Sequence, residues 1–150
     1  MNEFMKAAYS EALIAFKDNE VPVGAVIVLN GEIIAKGHNT KIRDKDISAH
    51  AEINALKMAS KKLDRTNLHD CDLYITLEPC SMCLSAILQS NIKKIYFGAY
   101  DATMGSVESI MKIAEFPLGN KAVTIGGIME NECSHLISTF FKEMRTKEIK

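Results

Sequence analysis

Short apolar runs of strand type alternate along this chain with segments of helical periodicity, and that alternation restricts the possible fold more than any other feature. Residues 23–29 and 32–36 flank Asn30-Gly31, a pair suited to the two left-handed positions of a type I′ hairpin turn. Residues 71–77, 93–97 and 122–125 read as three more strands, stopped in turn by Glu78-Pro79, Gly98 and Gly126-Gly127. Apolar residues at helical spacing run from Phe4 to Ala15, where Asp18, Asn19, Glu20 and Pro22 end the pattern. The same period recurs over 80–90 and 131–147, more briefly over 107–115, and over 49–61, where Ser48 stands as the expected cap. Residues 37–47 are polar and read as a loop of functional length. Strands separated by helices of crossover length predict an α/β fold, with a mixed five-stranded sheet between helices on both faces, a three-layer αβα arrangement.

A length of 150 residues suits one domain spanning 1–150. A chain of this size buries roughly 68 to 70% of its unfolded surface, enough for a core without staples. Hydrophobic residues at 47% and charged residues at 25% exclude a disordered or collagen-like chain. A formal net charge of -1 gives no long-range attraction to nucleic acid or an anionic membrane, so any RNA contact must use a local patch. Four cysteines are too few for a disulfide scaffold, and the spacing of Cys80 and Cys83 is that of metal ligands, which predicts a reducing, cytoplasmic setting. The first residues have no apolar core behind them and no stretch approaches about 18 apolar residues, so neither an export signal nor a membrane span is expected.

Three segments carry chemistry: His50-Ala51-Glu52 opening one helix, Glu78-Pro79-Cys80 closing one strand, and Cys80-Ser81-Met82-Cys83 opening the next helix. One imidazole and two thiolates bind zinc tightly, and three protein ligands leave a fourth tetrahedral position for water, the arrangement of a catalytic site. Residues three apart share a helix face, so Cys80 and Cys83 can clasp one ion. Side chains lean toward a helix N-terminus, so His50 and Glu52 can both reach past the start of theirs. The metal is therefore expected between two helix N-termini, whose partial positive charge favours thiolates. Glu52 is the telling residue, since zinc lowers the pKa of a water to about 7 and a neighbouring carboxylate can shuttle its proton. His-x-Glu with Pro-Cys-x-x-Cys matches the general pattern of zinc-dependent nucleobase deaminases. Cys71, Cys133 and His69 are the candidates for a fourth ligand, with the two cysteines reading as small buried hydrophobes and His69 and His135 as surface histidines.

Beyond these segments the chain resembles the bacterial tRNA adenosine deaminases, the wobble-position enzymes of the cytidine deaminase superfamily. Val21-Pro22-Val23-Gly24-Ala25-Val26, Ala49-His50-Ala51-Glu52-Ile53, residues 73–83, Phe97-Gly98-Ala99 and Phe140-Phe141 with Arg145 match the family pattern in order. The resemblance implies the cytidine-deaminase-like αβα fold, one Zn2+ on His50, Cys80 and Cys83, and Glu52 as catalytic proton shuttle. It also implies substrate contacts from Asn39, Asp101, Ala51 and Pro79, a tRNA anticodon stem-loop as partner, and a homodimer. The activity implied is hydrolytic deamination of adenosine to inosine at the wobble position. Two alternatives stand beside it: a deaminase of a free nucleobase or nucleoside, of guanine or cytosine type, and a zinc-stabilised binding module without catalysis. The chain departs from the family at Thr103, where lysine is common, and at Lys121 after Asn120, where histidine is common. Near the end, Lys142, Arg145, Lys147 and Lys150 outnumber Glu143 and Glu148, which suits either RNA or a solvated helix face. Leu84, Ile87 and Leu88 give the second zinc helix an apolar face expected in the core.

Overall fold

The computed structural model describes residues 2–112 and 122–149. In chain order the elements are α1 (Asn2–Lys17), β1 (Gly24–Leu29), β2 (Glu32–His38), α2 (Lys41–Asp44), α3 (Ala51–Leu63), β3 (Cys71–Leu77), α4 (Ser81–Gln89), β4 (Lys94–Ala99), β5 (Val123–Ile125) and α5 (Glu130–Ile149). The strands form one five-stranded sheet in the order β2-β1-β3-β4-β5. β1 is antiparallel to β2 and to β3, while β3, β4 and β5 run parallel. This is the mixed sheet expected from the alternation of elements. The β1-β2 turn forms as its dipeptide requires, with Asn30 at φ 51° and Gly31 at φ 78°.

Side chains alternate across the strands and divide the core in two. Ala25, Ile27, Leu73, Ile75, Ile95 and Phe97 face α3 and α4, meeting Ala55, Leu56, Leu84, Ile87 and Leu88 in one buried cluster. The apolar face of α4 is therefore core. Each fully buried Leu, Ile or Phe in that layer contributes about 1.5 to 3 kcal/mol relative to exposure. Val26, Val28, Tyr74 and Tyr96 face the other way, against Met5 and Ala8 of α1. α5 reaches the same side, where Phe140 meets Phe16 of α1 edge-on with ring centroids 6.0 Å apart. Helices thus cover both faces.

Besides shifts of one or two residues at element ends, the structure departs from the sequence expectation where hydrogen bonds intervene. Within the expected loop, residues 41–44 wind into α2, because Glu20 accepts the Ile42 and Arg43 amides and the Thr40 hydroxyl donates to Asp44 at 2.7 Å. Ser48 does not cap α3. Its hydroxyl turns back to Asp46 at 2.7 Å, and His50 holds the cap position with an extended backbone. β4 continues through Gly98 to Ala99, whose carbonyl accepts the Glu78 amide at 2.8 Å. Residues 107–112 form no helix, since the Val107, Glu108 and Ser109 amides turn to the Glu78 carboxylate. The remainder of that expected helix, 113–115, lies outside the described residues, as do Asn120 and Lys121. Among the described residues, no helix is long and apolar enough to cross a membrane.

Candidate metal centre and active-site pocket

Parallel strands in an open sheet tend to place a ligand crevice beyond their carboxyl ends. Here β3 and β4 end side by side, and the chain leaves β3 through Glu78 and Pro79 into α4. Cys80 is the N-cap of α4 with an extended backbone, and Cys83 is buried in its first turn. His50 holds the equivalent position at the start of α3. His50 Nδ1 stands 3.2 Å from Cys83 Sγ and 3.8 Å from Cys80 Sγ. All three donor atoms lie within 4.8 Å of one another, a cluster of the size that one ion draws together through bonds of about 2.0 to 2.3 Å.

This donor set fits zinc, since one imidazole and two thiols at two helix N-termini are the ligands that zinc prefers. Between the thiols the proton stays with Cys83. The Cys83 thiol donates to Cys80 and brings the pKa of Cys80 down to about 4, and His50 assists. Cys83 is pushed up by that neighbour and by its own burial. The His50 ring is raised, chiefly through its contact with Cys80. Neither Cys71 nor Cys133 joins the group among the described residues: both are free and buried elsewhere, at the start of β3 and on α5. His69 and His135 are exposed.

Glu52, two residues after His50, is 4% exposed and stands outside the donor cluster. Burial raises its pKa to about 7, which suits a group that must both take and give a proton near neutrality. It borders a cavity of about 450 Å³ together with His50, Cys80, Asn39, Asp101 and Glu20. Ile42, Met104, Phe140, Phe141 and Met144 complete an apolar outer wall, and Lys41 is the one lysine or arginine among the described lining residues.

The expected substrate residues take different places. Asn39 is 8% exposed and borders the cavity. Its Oδ1 accepts the Ala51 amide at 2.7 Å, so a side chain from another segment satisfies the first turn of α3. Asn54 of α3 steadies that segment by donating to the His38 carbonyl at 2.8 Å and to the Thr40 hydroxyl at 3.0 Å. Asp101 borders the cavity as well, but its Oδ1 accepts the Thr103 amide and hydroxyl and the Met104 amide, closing its own turn. Ala51 and Pro79 are buried behind the lining. The Ala51 amide is spent on Asn39, and the Pro79 carbonyl accepts the Ser106 amide at 2.9 Å.

Two residues here escape sequence reasoning. Glu20 sits in the polar cluster that ends α1, yet it is 3% exposed and accepts amides from α2. Glu78 looks like a strand stop, yet it is 2% exposed, and burial would raise its pKa were the amides and hydroxyl of the 101–109 loop not holding it below the ordinary value. A glutamate directly before proline at a strand end is the only hint at Glu78 in the sequence, and periodicity carries none.

Comparison with known proteins bears on the same residues. Residues 1–99 match the cytidine and deoxycytidylate deaminase zinc-binding region. The tRNA-specific adenosine deaminase of Aquifex aeolicus is 45% identical over 146 residues, covering 97% of each chain. A solved structure from work on A-to-I editing by tRNA:A34 deaminases at the wobble position of transfer RNA superposes with a TM-score of 0.89 at 39% identity, covering 91% of this chain and 99% of its own. The guanine deaminase of Bacillus subtilis is 40% identical, but the match spans only 65% of this chain and 63% of that one, with a TM-score of 0.63. Identity of 45% over 97% of both chains is thus found with a tRNA enzyme, whereas the 40% identity to the guanine deaminase holds over 65% of this chain. The chain belongs to the cytidine and deoxycytidylate deaminase family, within its tRNA-specific adenosine deaminases.

Proposed function

We propose that this protein hydrolyses adenosine to inosine at the wobble position of a tRNA anticodon loop, with zinc on His50, Cys80 and Cys83 and Glu52 as the catalytic residue. The observation that carries the reading is a buried carboxyl beside the three-donor cluster but not part of it. Zinc in that cluster supplies Lewis acidity, making a water acidic enough to attack near neutral pH. Glu52 takes a proton from the attacking water and passes it to ring N1, then takes the water's second proton from the new C6 hydroxyl and gives it to the departing amine as the C6–N bond breaks, so that adenosine and water give inosine and ammonia. Its pKa of about 7 lets it act in both directions. Asn39 offers its Nδ2 amide to an acceptor on the flipped nucleoside, fixed in direction because Oδ1 is held by Ala51. A loop base is already unpaired and cheap to splay out, and a cavity of about 450 Å³ has room for a nucleoside. Asp101 meets the anticodon strand through a hydroxyl such as the ribose 2′-OH, because an acid facing phosphate would be repelled. Ala51 and Pro79 shape the base pocket from behind its lining. The same reading includes a single 150-residue domain, a homodimer and a cytoplasmic site of action.

The test is Glu52→Ala in the zinc-loaded protein, assayed by sequencing an ACG anticodon stem-loop for adenosine read as guanosine. Turnover should fall by about 100 to 10,000-fold with one zinc per chain retained. Turnover of free guanine or cytosine with no inosine in the stem-loop would replace this reading with the free-base one. Undiminished activity in the variant would remove Glu52 from the chemistry.

A further inference from the structure

The deamination leaves two buried carboxylates, Glu20 and Glu78, without a role in the chemistry, and Glu78 lies next to the metal-binding segment. We propose that Glu78 is a positioning residue for the reaction, locking the 101–109 loop onto the strand end that carries Cys80, so that the RNA-facing rim and the metal floor keep one register. This rests on the function proposed above.

The geometry is that of a clamp. Glu78 Oε2 accepts the amides of Val107 at 3.0 Å, Glu108 at 2.8 Å and Ser109 at 3.0 Å. Oε1 accepts the Asp101 amide at 3.1 Å and the Ser109 hydroxyl. The main chain adds two ties, from the Glu78 amide to the Ala99 carbonyl at 2.8 Å and from the Ser106 amide to the Pro79 carbonyl at 2.9 Å. Every partner lies 20 or more residues away in sequence, so local structure does not account for the arrangement. The donors converge on an acceptor-only group, and bonds to an ionised carboxylate are roughly twice as strong as neutral ones. Gly105 completes the fit: a Cβ there would lie 2.5 Å from Cδ and Oε1 of Glu78 and from the Asp101 carbonyl, so glycine lets the loop close both on itself and over the carboxylate. The clamped loop brings Asp101 and Met104 to the cavity mouth, while the clamp itself is anchored two residues before a metal ligand. A carboxylate with both oxygens occupied by the loop acts through that loop.

The test compares Glu78→Gln, Gly105→Ala, the double variant and Ser109→Ala in the full-length zinc-loaded protein. Glutamine keeps the shape but turns an NH2 group toward amide donors. Glu78→Gln should raise KM for the ACG stem-loop roughly tenfold or more, with kcat within about threefold of wild type. Zinc content should be unchanged, and amide hydrogen exchange should accelerate at 107–109 and not in α3 or α4. Gly105→Ala should also raise KM and speed exchange at 107–109, and by more, since its Cβ meets the Asp101 carbonyl as well as Glu78, while the double variant should be no worse than Gly105→Ala alone. Ser109→Ala, at an exposed position that leaves the fold intact, should give a smaller rise in KM of about threefold and faster exchange at 107–109. Unchanged exchange and KM would overturn the proposal, in Ser109→Ala alone if the other variants fail to fold. So would a fall in kcat or zinc content at constant KM, which would put Glu78 in the metal floor. A wild-type protein that leaves the stem-loop unmodified would break the functional reading instead, and the exchange at 107–109 would still decide whether the clamp exists.

Discussion

The floor and the rim of the pocket are built on different principles. At the floor, His50, Glu52, Cys80 and Cys83 come from the first turns of two helices seated on the sheet, so regular elements fix the donor positions. At the rim, residues 39–46 and 101–109 form no regular element beyond the single turn of α2 and take their shape from two buried carboxylates. Glu20 gathers the Ile42 amide at 3.1 Å and the Arg43 amide at 2.9 Å, and Glu78 gathers the later loop. The contrast suggests a division of labour, in which packed elements place the chemistry and internal charge holds the loops that meet the substrate. Damage to one should leave the other standing.

The largest effect should come from the floor. Cys83 is fully buried, and Cys83→Ser replaces a strong zinc ligand by a weak one. Zinc analysis should show metal lost, inosine formation should drop to background, and calorimetry should show a lower melting temperature that added chelator no longer shifts, because metal-binding energy is folding energy. Full zinc occupancy in the variant would place the ion on other ligands. At the rim, Glu20→Gln keeps an acceptor oxygen but loses the charge facing the α2 amides. Urea unfolding should report a loss of about 1 kcal/mol, with a severalfold rise in KM for the stem-loop. Zinc content and kcat should hold. If either fell as KM rose, floor and rim would be one cooperative unit and the division would fail.

Legibility in the sequence follows the same line. The five strands, the flanking helices and the His50, Cys80, Cys83 and Glu52 constellation can be read because each rests on a period or a fixed spacing. The rim cannot be read this way. α2 is only four residues long and owes its turn to Glu20, more than 20 residues earlier. Ser48 has the chemistry of a cap, but Asp46 two residues before it competes for the hydroxyl, and Asn39 supplies the acceptor for the Ala51 amide. Residues 107–112 have helical spacing of apolar side chains, yet their amides are spent on Glu78. At α2 and at residues 107–112 a hydrogen bond between segments distant in sequence outweighs local preference, and at Ser48 a neighbour two residues away competes with the cap; the pattern of apolar residues records neither.

The smallest expected effect probes the rim without touching its scaffold. Thr103 is exposed, and its amide and hydroxyl both donate to Asp101 Oδ1, at 3.0 and 2.8 Å. Thr103→Lys keeps the amide bond, loses the hydroxyl bond and adds a cation where the described cavity lining offers only Lys41 against Glu20, Glu52, Glu78 and Asp101. An exposed change of this kind should move stability by no more than about 0.5 kcal/mol. Its signature should be electrostatic: if position 103 faces a phosphate, the logarithm of the stem-loop binding constant should fall more steeply with the logarithm of salt, by about 0.7. Binding at low salt should tighten a few-fold while kcat and zinc content stay put, since the floor feels no new contact. An unaltered slope would mean that the RNA backbone does not pass this loop. Its path would then run along α5, where Lys142, Arg145 and Lys147 stand on the helix that brings Phe140, Phe141 and Met144 to the cavity.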